Sequence, residues 1–394
     1  MPIIDRIADY NDEMIQLRRD IHMHPELGFE EHRTAEIVAE KLKEWGIETH
    51  TGIAKTGVVG VIRGQGNGPG SIGLRADLDA LPMQENATPP HRSVNDGKMH
   101  ACGHDGHTAM LLSAARYLSE TRNFDGVVNL IFQPAEEGPG GGKVMVEEGL
   151  FDKFPCDAVY GMHNFATIPK GVFGIGKGGF MAAADEVTVH IEGTGGHAAL
   201  PHLAVDPVAI GVQVHTAFQT IMSRNVDPIS TAVISVTMFH AGSASNVIPN
   251  TATLTASVRT LNQDVRDMIK QRMSDICDGL AAAYGATIKL DYEEGYPALI
   301  NHPYETDRAV LAAKAVVGEG NVNAEQPPTM GSEDFAYMLE ARPGAYILLG
   351  QGDENNVHQL HHSHYDFNDE ILAIGASYWA TLAEQELPLH KGDS

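Results

Sequence analysis

Short apolar strands alternate with amphipathic helices along the first half of the chain, and this alternation limits the possible folds more than any other feature. Runs such as "VVGVIRG", "VVNLIFQ" and "DAVYGMHN" have the length and content of buried strands, and "AMLLSAARYLSE" has the periodicity of a helix. Strands that alternate with helices are typical of α/β proteins with a mostly parallel sheet. The sequence therefore predicts an α/β domain, in which ligands bind at the carboxyl ends of the strands.

The pattern changes at about residue 185. From there to residue 296 the segments follow the order strand, helix, strand, strand, helix, strand, from "EVTVHIEG" to "ATIKLDYEEG". This order predicts a small α+β domain of the split βαβ kind. After residue 296 a helix, the strand "AYILLG" and a last helix resume the first pattern. We expect residues 1–184 and 297–394 to form one α/β domain that is interrupted by an inserted domain, residues 185–296.

Composition narrows the class of partner. The formal net charge of −25 over 394 residues disfavours nucleic acids and anionic membrane surfaces, which are also negatively charged. No stretch approaches the roughly 20 apolar residues that span a bilayer, and the acidic N-terminus does not resemble a secretory signal. Three widely spaced cysteines, Cys102, Cys156 and Cys277, fit reduced thiols better than a disulfide framework. We therefore expect a cytoplasmic protein that binds neither nucleic acid nor membrane.

Several common chemistries have no motif in the chain. A G-x-S-x-G elbow and the zinc motif H-E-x-x-H do not occur. The segment "EEGPGGGKV" is not a phosphate loop, because Glu137 stands where the first glycine is required and Val144 replaces the Ser or Thr. The sequence gives no support to a serine hydrolase of that type or to a P-loop nucleotide site.

The segment "HACGHDGHT" is dense in side chains that bind metals. Cys102 and His104 flank Gly103, whose conformational freedom lets both side chains turn toward one point. A thiolate and an imidazole suit divalent transition ions. Taken alone, such a cluster is more often a solvated polar surface, so further ligands are needed.

Other predicted strands end in residues of the same kind. Glu136 and Glu137 follow "VVNLIF", and neighbouring strand residues point to opposite faces, so the two carboxylates are suited to different roles. His163 ends "DAVYGMH", and Asp77 and Asp79 end "SIGLRADLD". A loop near the C-terminus adds four histidines, His358, His361, His362 and His364. Because four separate segments each bring ligand-type residues toward one sheet edge, the sequence predicts a metal centre there.

The ligand count favours two metal ions. A closed structural zinc site needs about four ligands, and this chain offers five with water to complete the coordination. A two-metal centre activates water and polarises a scissile carbonyl, and an adjacent carboxylate that binds no metal can act as the general base. Zinc, manganese, cobalt and nickel all accept mixed sulfur, nitrogen and oxygen ligands. The predicted ligands are Cys102, His104, Glu137, His163 and one of His361 or His362.

These motifs occur in an order that resembles a known family. The segments "IHMHPELGFEEHRTA", "LRADLDALPM", "HACGHDGHTAM", "QPAEEGPGGG", "GMHN", "GGHAALPH", "NVIP", "MGSEDFA" and "LHHSHYDFND" are similar to those of the aminoacylase, hippurate hydrolase and indole-acetyl-amino-acid hydrolase family, across nearly the whole chain. The resemblance implies a di-metal amidohydrolase that cleaves N-acyl amino acids. It also implies that the inserted domain serves as a lid or a dimerisation domain, in a homodimer or higher homo-oligomer.

The resemblance also implies roles for individual residues. The metal ligands would be Cys102, His104, Glu137, His163 and His361, the general base Glu136, and the carboxylate that orients a ligand histidine Asp77. His361 follows from counting back from "YDF"; Ser363 stands where the family usually has proline, which leaves His362 as the alternative. In the inserted domain His197 would stabilise the tetrahedral oxyanion. Substrate-binding residues would be Asn246, Arg259 and, from "MGSEDFA", Ser332.

Two other functions remain open from the sequence. A dipeptidase or carboxypeptidase would use the same centre, because its substrate also contains an amide and only the acyl pocket differs. A non-catalytic metal-binding or amino-acid-binding protein would keep the ligands but has no need of Glu136. The expected function is therefore hydrolysis of N-acyl amino acids, small molecules that release a carboxylic acid and a free amino acid.

Overall fold

A computed structural model describes residues 3–354 and 357–389, and the chain within it divides into two compact units. The first unit comprises the described residues of 1–178, 300–327 and 334–394; the second comprises 179–299 and 328–333. The sequence places the inserted domain at 185–296, so contacts extend the second unit by a few residues at each end and add the 328–333 segment. No helix in the described part of the chain is long and apolar enough to cross a membrane.

The first unit is built on a large mixed sheet, most of whose central strands run parallel. Parallel pairing joins the strand that ends at Asp77 to two neighbours, and antiparallel strands extend the sheet at one edge. In spatial order the eight strands are Glu48–Ile53, Gly57–Arg63, Asp125–Gln133, Gly66–Asp77, Ala158–Pro169, Gly344–Gly352, Phe173–Gly174 and Val322–Asn323. The predicted α/β class with a mostly parallel sheet is confirmed.

Helices pack against this sheet and bury a continuous apolar core. The helix that begins at His104 is buried along most of its length, since it lies between the sheet and other helices. The core includes Trp379, Leu74 and Phe132, all 1% exposed or less. The α-helices of this unit are Asp5–Asp9, Asn11–Met23, His32–Glu44, His104–Thr121, Gly141–Glu147, Leu150–Lys153, Pro303–Val317, Ala336–Ala341 and Leu372–Glu386, with 3₁₀ turns at Glu319–Asn321 and Asp369–Ile371.

The carboxyl ends of two parallel strands lie side by side. Asp77 and Gln133 are register partners, so the residues that follow each strand emerge at the same edge of the sheet. His163 differs from the prediction, because its strand continues to Pro169 and places the histidine in the middle rather than at the end. The side chain is nevertheless buried and close to the other strand ends, since the Asp77 strand stops alongside it.

The second unit has the predicted α+β order. Its four-stranded antiparallel sheet comprises, in spatial order, Ala232–Ala241, Thr251–Thr260, Ala183–Glu192 and Thr287–Glu294. Helices Pro207–Arg224 and Gln263–Tyr284 cover one face, and a short pair, Gly196–His197 with Val247–Ile248, is added beside a 3₁₀ turn at Pro201–Leu203. Short strands Gly178–Met181 and Leu299–Asn301 occur where the chain passes between units.

Candidate metal centre

The Cys102–His104 turn has a backbone that only glycine adopts easily. Gly103 has φ +97° and immediately precedes the helix that starts at His104. A Cβ there would lie 2.4 Å from Asn164 Oδ1 and 2.7 Å from the Tyr365 hydroxyl, so neither the conformation nor the space admits a side chain. This turn brings Cys102 and His104 to the same buried point.

The two adjacent glutamates lie on a second unusual turn. Ala135 has φ +53°, a left-handed conformation that costs a non-glycine residue about 1–2 kcal/mol. Three consecutive amides of this turn donate hydrogen bonds to buried carboxylates: Ala135 N to Glu31 (2.8 Å), and Glu136 N and Glu137 N to Asp79 (3.1 and 2.9 Å). These hydrogen bonds hold the turn in the conformation that places the side chains of Glu136 and Glu137 near His104.

Ligand-type atoms from these turns converge with two more segments. Within each of three overlapping groups, the candidate ligand atoms all lie within 4.8 Å of one another. The groups are Cys102, His104 and His163; Cys102, Glu137 and His361; and His104, Glu136 and Glu137. Cys102 belongs to two of them, which places its sulfur between the histidines on one side and the Glu137–His361 pair on the other. All six residues belong to the first unit.

Hydrogen bonds set the orientation of both histidines in the first group. His163 Nδ1 donates to the backbone carbonyl of Asn164 at 2.6 Å, which leaves the lone pair of Nε2 directed at Cys102 Sγ, 3.3 Å away. His104 Nδ1 lies 3.2 Å from Asp79 Oδ1, and its Nε2 is buried without a hydrogen bond among the described residues. An imidazole whose other nitrogen donates to a carbonyl or carboxylate is the arrangement that metal ligands need.

The surrounding charges favour a positive charge at this point. Burial opposes protonation of His104, but Asp77 and Asp79 raise its pKa to about 10. Burial raises the pKa of the Cys102 thiol well above its usual value, and Glu137 and Glu136 raise it further. A thiolate at Cys102 beside these carboxylates is therefore unfavourable unless a cation lies next to it.

The donor set fits divalent transition metals. It combines one sulfur, three imidazole nitrogens and carboxylate oxygens, which are ligands that zinc and its first-row neighbours accept. His104 Nε2 is a buried atom without a hydrogen bond among the described residues, and such an orphaned nitrogen fits a ligand to a metal. These observations support a metal site in the first unit.

The C-terminal histidines separate in the structure. His361 adopts φ +63°, and its Nε2 lies 3.0 Å from Glu137 Oε1, whereas His362 stacks on His358 with ring centroids 4.5 Å apart. The His362 Nδ1 accepts a hydrogen bond from the backbone of His364. The geometry thus brings His361, and not His362, to the cluster; Ser363 in place of proline does not prevent this.

Asp77 is hydrogen-bonded to His107 rather than to one of the predicted ligand histidines. Its carboxylate accepts from His107 Nδ1 at 2.6 Å and from Arg75 at 2.6 Å, and it stays 3.7 Å from His104 Nε2. The carboxylate hydrogen-bonded to His104 is Asp79, because the chain leaves the strand after Asp77 and turns Asp79 toward the turn that follows Gln133. Asp77 belongs to the buried network around the centre instead.

Three further residues have no role assigned from the sequence: two shape the site, and one links its segments. Asp79 and Glu31 hold the glutamate turn, and Asn164 joins the His163 strand to Tyr365 and His107. Asp79 and Glu31 lie in quoted motifs but have no distinctive spacing. Only the partner across the fold reveals their role. Asn164 directly follows His163, and a polar residue inside an apolar strand is the one available signal.

The inserted unit contains the remaining predicted residues. His197 is exposed and pairs with Val247, and Asn246 accepts a backbone hydrogen bond from Ala198, so His197 and Asn246 lie in the same small substructure. Arg259 donates to Ser332 Oγ at 3.3 Å and lines a cavity of about 370 Å³ in this unit. Their roles in the reaction stay predictions.

Comparison with known proteins places these features in context. The family model described as Peptidase family M20/M25/M40 matches residues 73–385 of this chain. The chain is 45% identical to a hippurate hydrolase of Campylobacter jejuni, covering 97% of this chain and 99% of that protein. It is 38% identical to an N-acetylcysteine deacetylase of Bacillus subtilis (95% and 97% covered) and 38% identical to thermostable carboxypeptidase 1 of Saccharolobus solfataricus (96% of each covered).

A solved structure agrees with the fold over nearly the full length. A dinuclear metal-binding peptidase of the M20 family from Bacillus subtilis superposes with a TM-score of 0.84 at 34% identity, covering 95% of this chain and 98% of that one. The similarity spans both units.

Proposed function

The chain belongs to the peptidase family M20/M25/M40 and is an amidohydrolase, and we propose that it hydrolyses N-acyl amino acids at a centre of two divalent metal ions. The observation that carries this proposal is the convergence of five ligand-type side chains with an adjacent carboxylate, Glu136, that the ligand set does not need. Relatives named for hippurate and N-acetylcysteine, both N-acyl amino acids, support this substrate class.

Cys102, His104, Glu137, His163 and His361 would hold the metals. Bound divalent ions would supply Lewis acidity, which makes water a stronger acid and polarises the scissile carbonyl. The ligands fit manganese, zinc, cobalt or nickel alike. Cys102 and Glu137 each belong to two of the ligand groups, so both residues would be central to holding the metals.

Glu136 would move the proton. Its carboxylate is buried, groups with His104 and Glu137, and accepts from the Asp334 amide at 3.4 Å. From this position it would remove a proton from the attacking water and deliver it to the nitrogen of the leaving amino acid. Burial also excludes bulk water, which strengthens this role.

Four residues of the second unit are proposed to recognise the substrate. Arg259 has a planar fork of donors suited to a carboxylate, which every N-acyl amino acid carries, and Asn246 and Ser332 would add hydrogen bonds. His197 would donate to the oxyanion that forms on the acyl carbonyl.

We also propose that the protein is a homodimer or a higher homo-oligomer in the cytoplasm.

A second candidate is carboxypeptidase activity at the same centre. The similarity to a thermostable carboxypeptidase supports this activity, since the alignment covers 96% of this chain and 96% of that protein. The two functions differ in the acyl group, which is an aminoacyl or peptidyl group in the substrate of a carboxypeptidase. Comparing N-acetyl, N-benzoyl and N-aminoacyl derivatives of one amino acid on the metal-loaded protein separates them by kcat/KM.

The adjacent glutamates provide the test of the proposed mechanism. We expect E136Q to reduce kcat by about 10²–10⁴-fold with its metal content near wild type, since a general base contributes about that much and glutamine cannot accept the proton. E137Q should instead lose metal, as measured by elemental analysis after dialysis. E147Q, at an exposed helical position, is the control for an added amide.

Two outcomes would contradict the proposal. If E136Q hydrolysed the substrates at the wild-type rate, Glu136 would not be the base. If the metal-loaded wild type hydrolysed none of the acyl derivatives, while binding metal or amino acid, the chain would be a binding protein that keeps the fold.

A further inference from the structure

The motif "HPELGFEE" has no role in the function proposed above. One of its residues, Glu31, nevertheless accepts a hydrogen bond from the turn that carries Glu136 and Glu137. Glu31 is completely buried, and no lysine, arginine or histidine forms an ion pair with it among residues 3–354 and 357–389. A buried carboxylate without a cation is unfavourable unless hydrogen bonds satisfy it. The position of Glu31 therefore needs an explanation beyond packing.

The carboxylate of Glu31 is satisfied by three donors from separate parts of the chain. Its Oε1 accepts from Phe29 N at 3.0 Å and from Ala135 N at 2.8 Å, and its Oε2 accepts from Thr56 Oγ1 at 2.6 Å. The Ala135 amide is the connection that matters, because the next two residues are Glu136 and Glu137.

The segment that contains Glu31 also packs closely against the Ala135 turn. A Cβ on Gly28 would lie 3.1 Å from Ala135 Cβ, which shows how closely the two backbones approach. On its other side the Ala135 carbonyl accepts from Gly141 N at 2.9 Å. Ala135 is thus held at both its amide and its carbonyl in a left-handed conformation, φ +53°, that an alanine does not adopt without support.

We propose that Glu31 is a positioning residue for amide hydrolysis: its carboxylate holds the Ala135 turn so that Glu136 faces the substrate and Glu137 faces the metals. This inference rests on the proposed function for the roles of the two glutamates. Asp79 holds the amides of those glutamates, whereas Glu31 holds the strained residue before them. Without Glu31 the turn would relax toward an ordinary conformation and rotate both side chains.

Three variants at or next to Glu31 test the proposal. Glutamine keeps an acceptor for the two amides, and its NH₂ group can donate to Thr56, whose hydroxyl can reverse its role. Alanine leaves all three donors without an acceptor. We expect E31A to lower kcat on the order of 30- to 100-fold, with KM changed less than about threefold, and E31Q to retain most of the activity. E30Q, at the exposed neighbour paired with Lys98, is the matched control.

A second pair guards against simple misfolding of E31A. T56V removes one donor to Glu31 and keeps the side-chain shape, whereas T56S keeps the hydroxyl. We expect T56V to lower kcat about 3- to 10-fold, and we expect T56S, which keeps the hydroxyl donor, to have a kcat near that of the wild type. Cooperative thermal unfolding of each variant shows that the comparison is made on folded protein.

A spectroscopic readout separates this proposal from the proposed function. In the cobalt-loaded protein, displacement of Glu137 by E31A would change the visible d–d absorption and lower the cobalt content, and E31Q would not. If the wild type hydrolysed no N-acyl amino acid, the proposed function would fail, and this spectral difference would still test positioning. Folded E31A with wild-type kcat and cobalt spectrum would overturn the proposal, as would an E31Q defect equal to that of E31A.

Discussion

Asp79 bonds simultaneously to a candidate metal ligand and to the turn that carries the candidate base. Its Oδ1 lies 3.2 Å from His104 Nδ1 and accepts from Glu136 N, while Oδ2 accepts from Glu137 N. One carboxylate therefore couples the orientation of the histidine ring to the position of the two glutamates.

The substitution D79N tests this coupling. An asparagine has one acceptor oxygen for three donors, so its NH₂ group must face an N–H and one hydrogen bond is lost. Because partners that orient a ligand typically contribute 10–100-fold to metal affinity, we expect a loss of about that size, measured by competition with a chelator. D96N, at an exposed position, should bind metal as the wild type does. Unchanged affinity in D79N would contradict the coupling.

Gly103 and Gly97 form a matched pair for the Cys102–His104 turn. Both have positive φ, +97° and +75°, but a Cβ at Gly97 meets no atom within 4 Å, whereas one at Gly103 overlaps Asn164 and Tyr365. We expect G97A to lower the free energy of unfolding by about 1–2 kcal/mol, and G103A by a further ~1–3 kcal/mol with loss of metal. Urea unfolding measures both; equal losses would show that the overlap is relieved without cost.

We expect metal binding that involves Cys102 to stabilise the folded protein. Metal that binds only the folded protein should stabilise it by about 2.7 kcal/mol at a free concentration 100-fold above Kd. A chelator should therefore lower the melting temperature of the wild type and abolish hydrolysis. In C102A the melting temperature should respond little to metal, since the residue shared by two ligand groups is gone. C277A, a buried cysteine of the inserted unit, is the control, and its metal response should equal that of the wild type.

The His22–Asp105 pair predicts a pH dependence of stability. Burial opposes protonation of His22, but Asp105, 2.9 Å away, raises its pKa from 6.5 to about 9. The stabilisation is thus fully present below pH 6.5, where both states are protonated, and is lost as pH rises through 9. Its size is on the order of 3 kcal/mol. The other charged or titratable groups around the ring are Arg18, Glu85, His91 and His100.

Unfolding free energies at pH 6, 7.5 and 9 measure this loss in the metal-free protein. H22Q should remove most of the slope, and H215Q, at an exposed position, should keep it. A wild-type slope in H22Q would assign the pH dependence to other groups.

Local sequence patterns were sufficient for the fold class because they report which face of each element is buried. Alternating apolar strands and helices predict the mostly parallel sheet, and the change of pattern near residue 185 marks the inserted α+β order. Cys102, Gly103 and His104 lie so close in sequence that their shared position follows from one turn. The approximate place of Glu136 and Glu137 follows from a strand end.

Tertiary structure decided which carboxylate meets which donor. Asp77 and Asp79 have the same residue type and lie two positions apart, so no pattern distinguishes the partner of His107 from the partner of His104. Glu31 is more than 100 residues from the turn it holds. Hydrogen bonds of this kind depend on distances of about 3 Å between segments remote in sequence. Sequence periodicity determines which side chains are buried together; only the packed chain determines which atoms come within bonding distance.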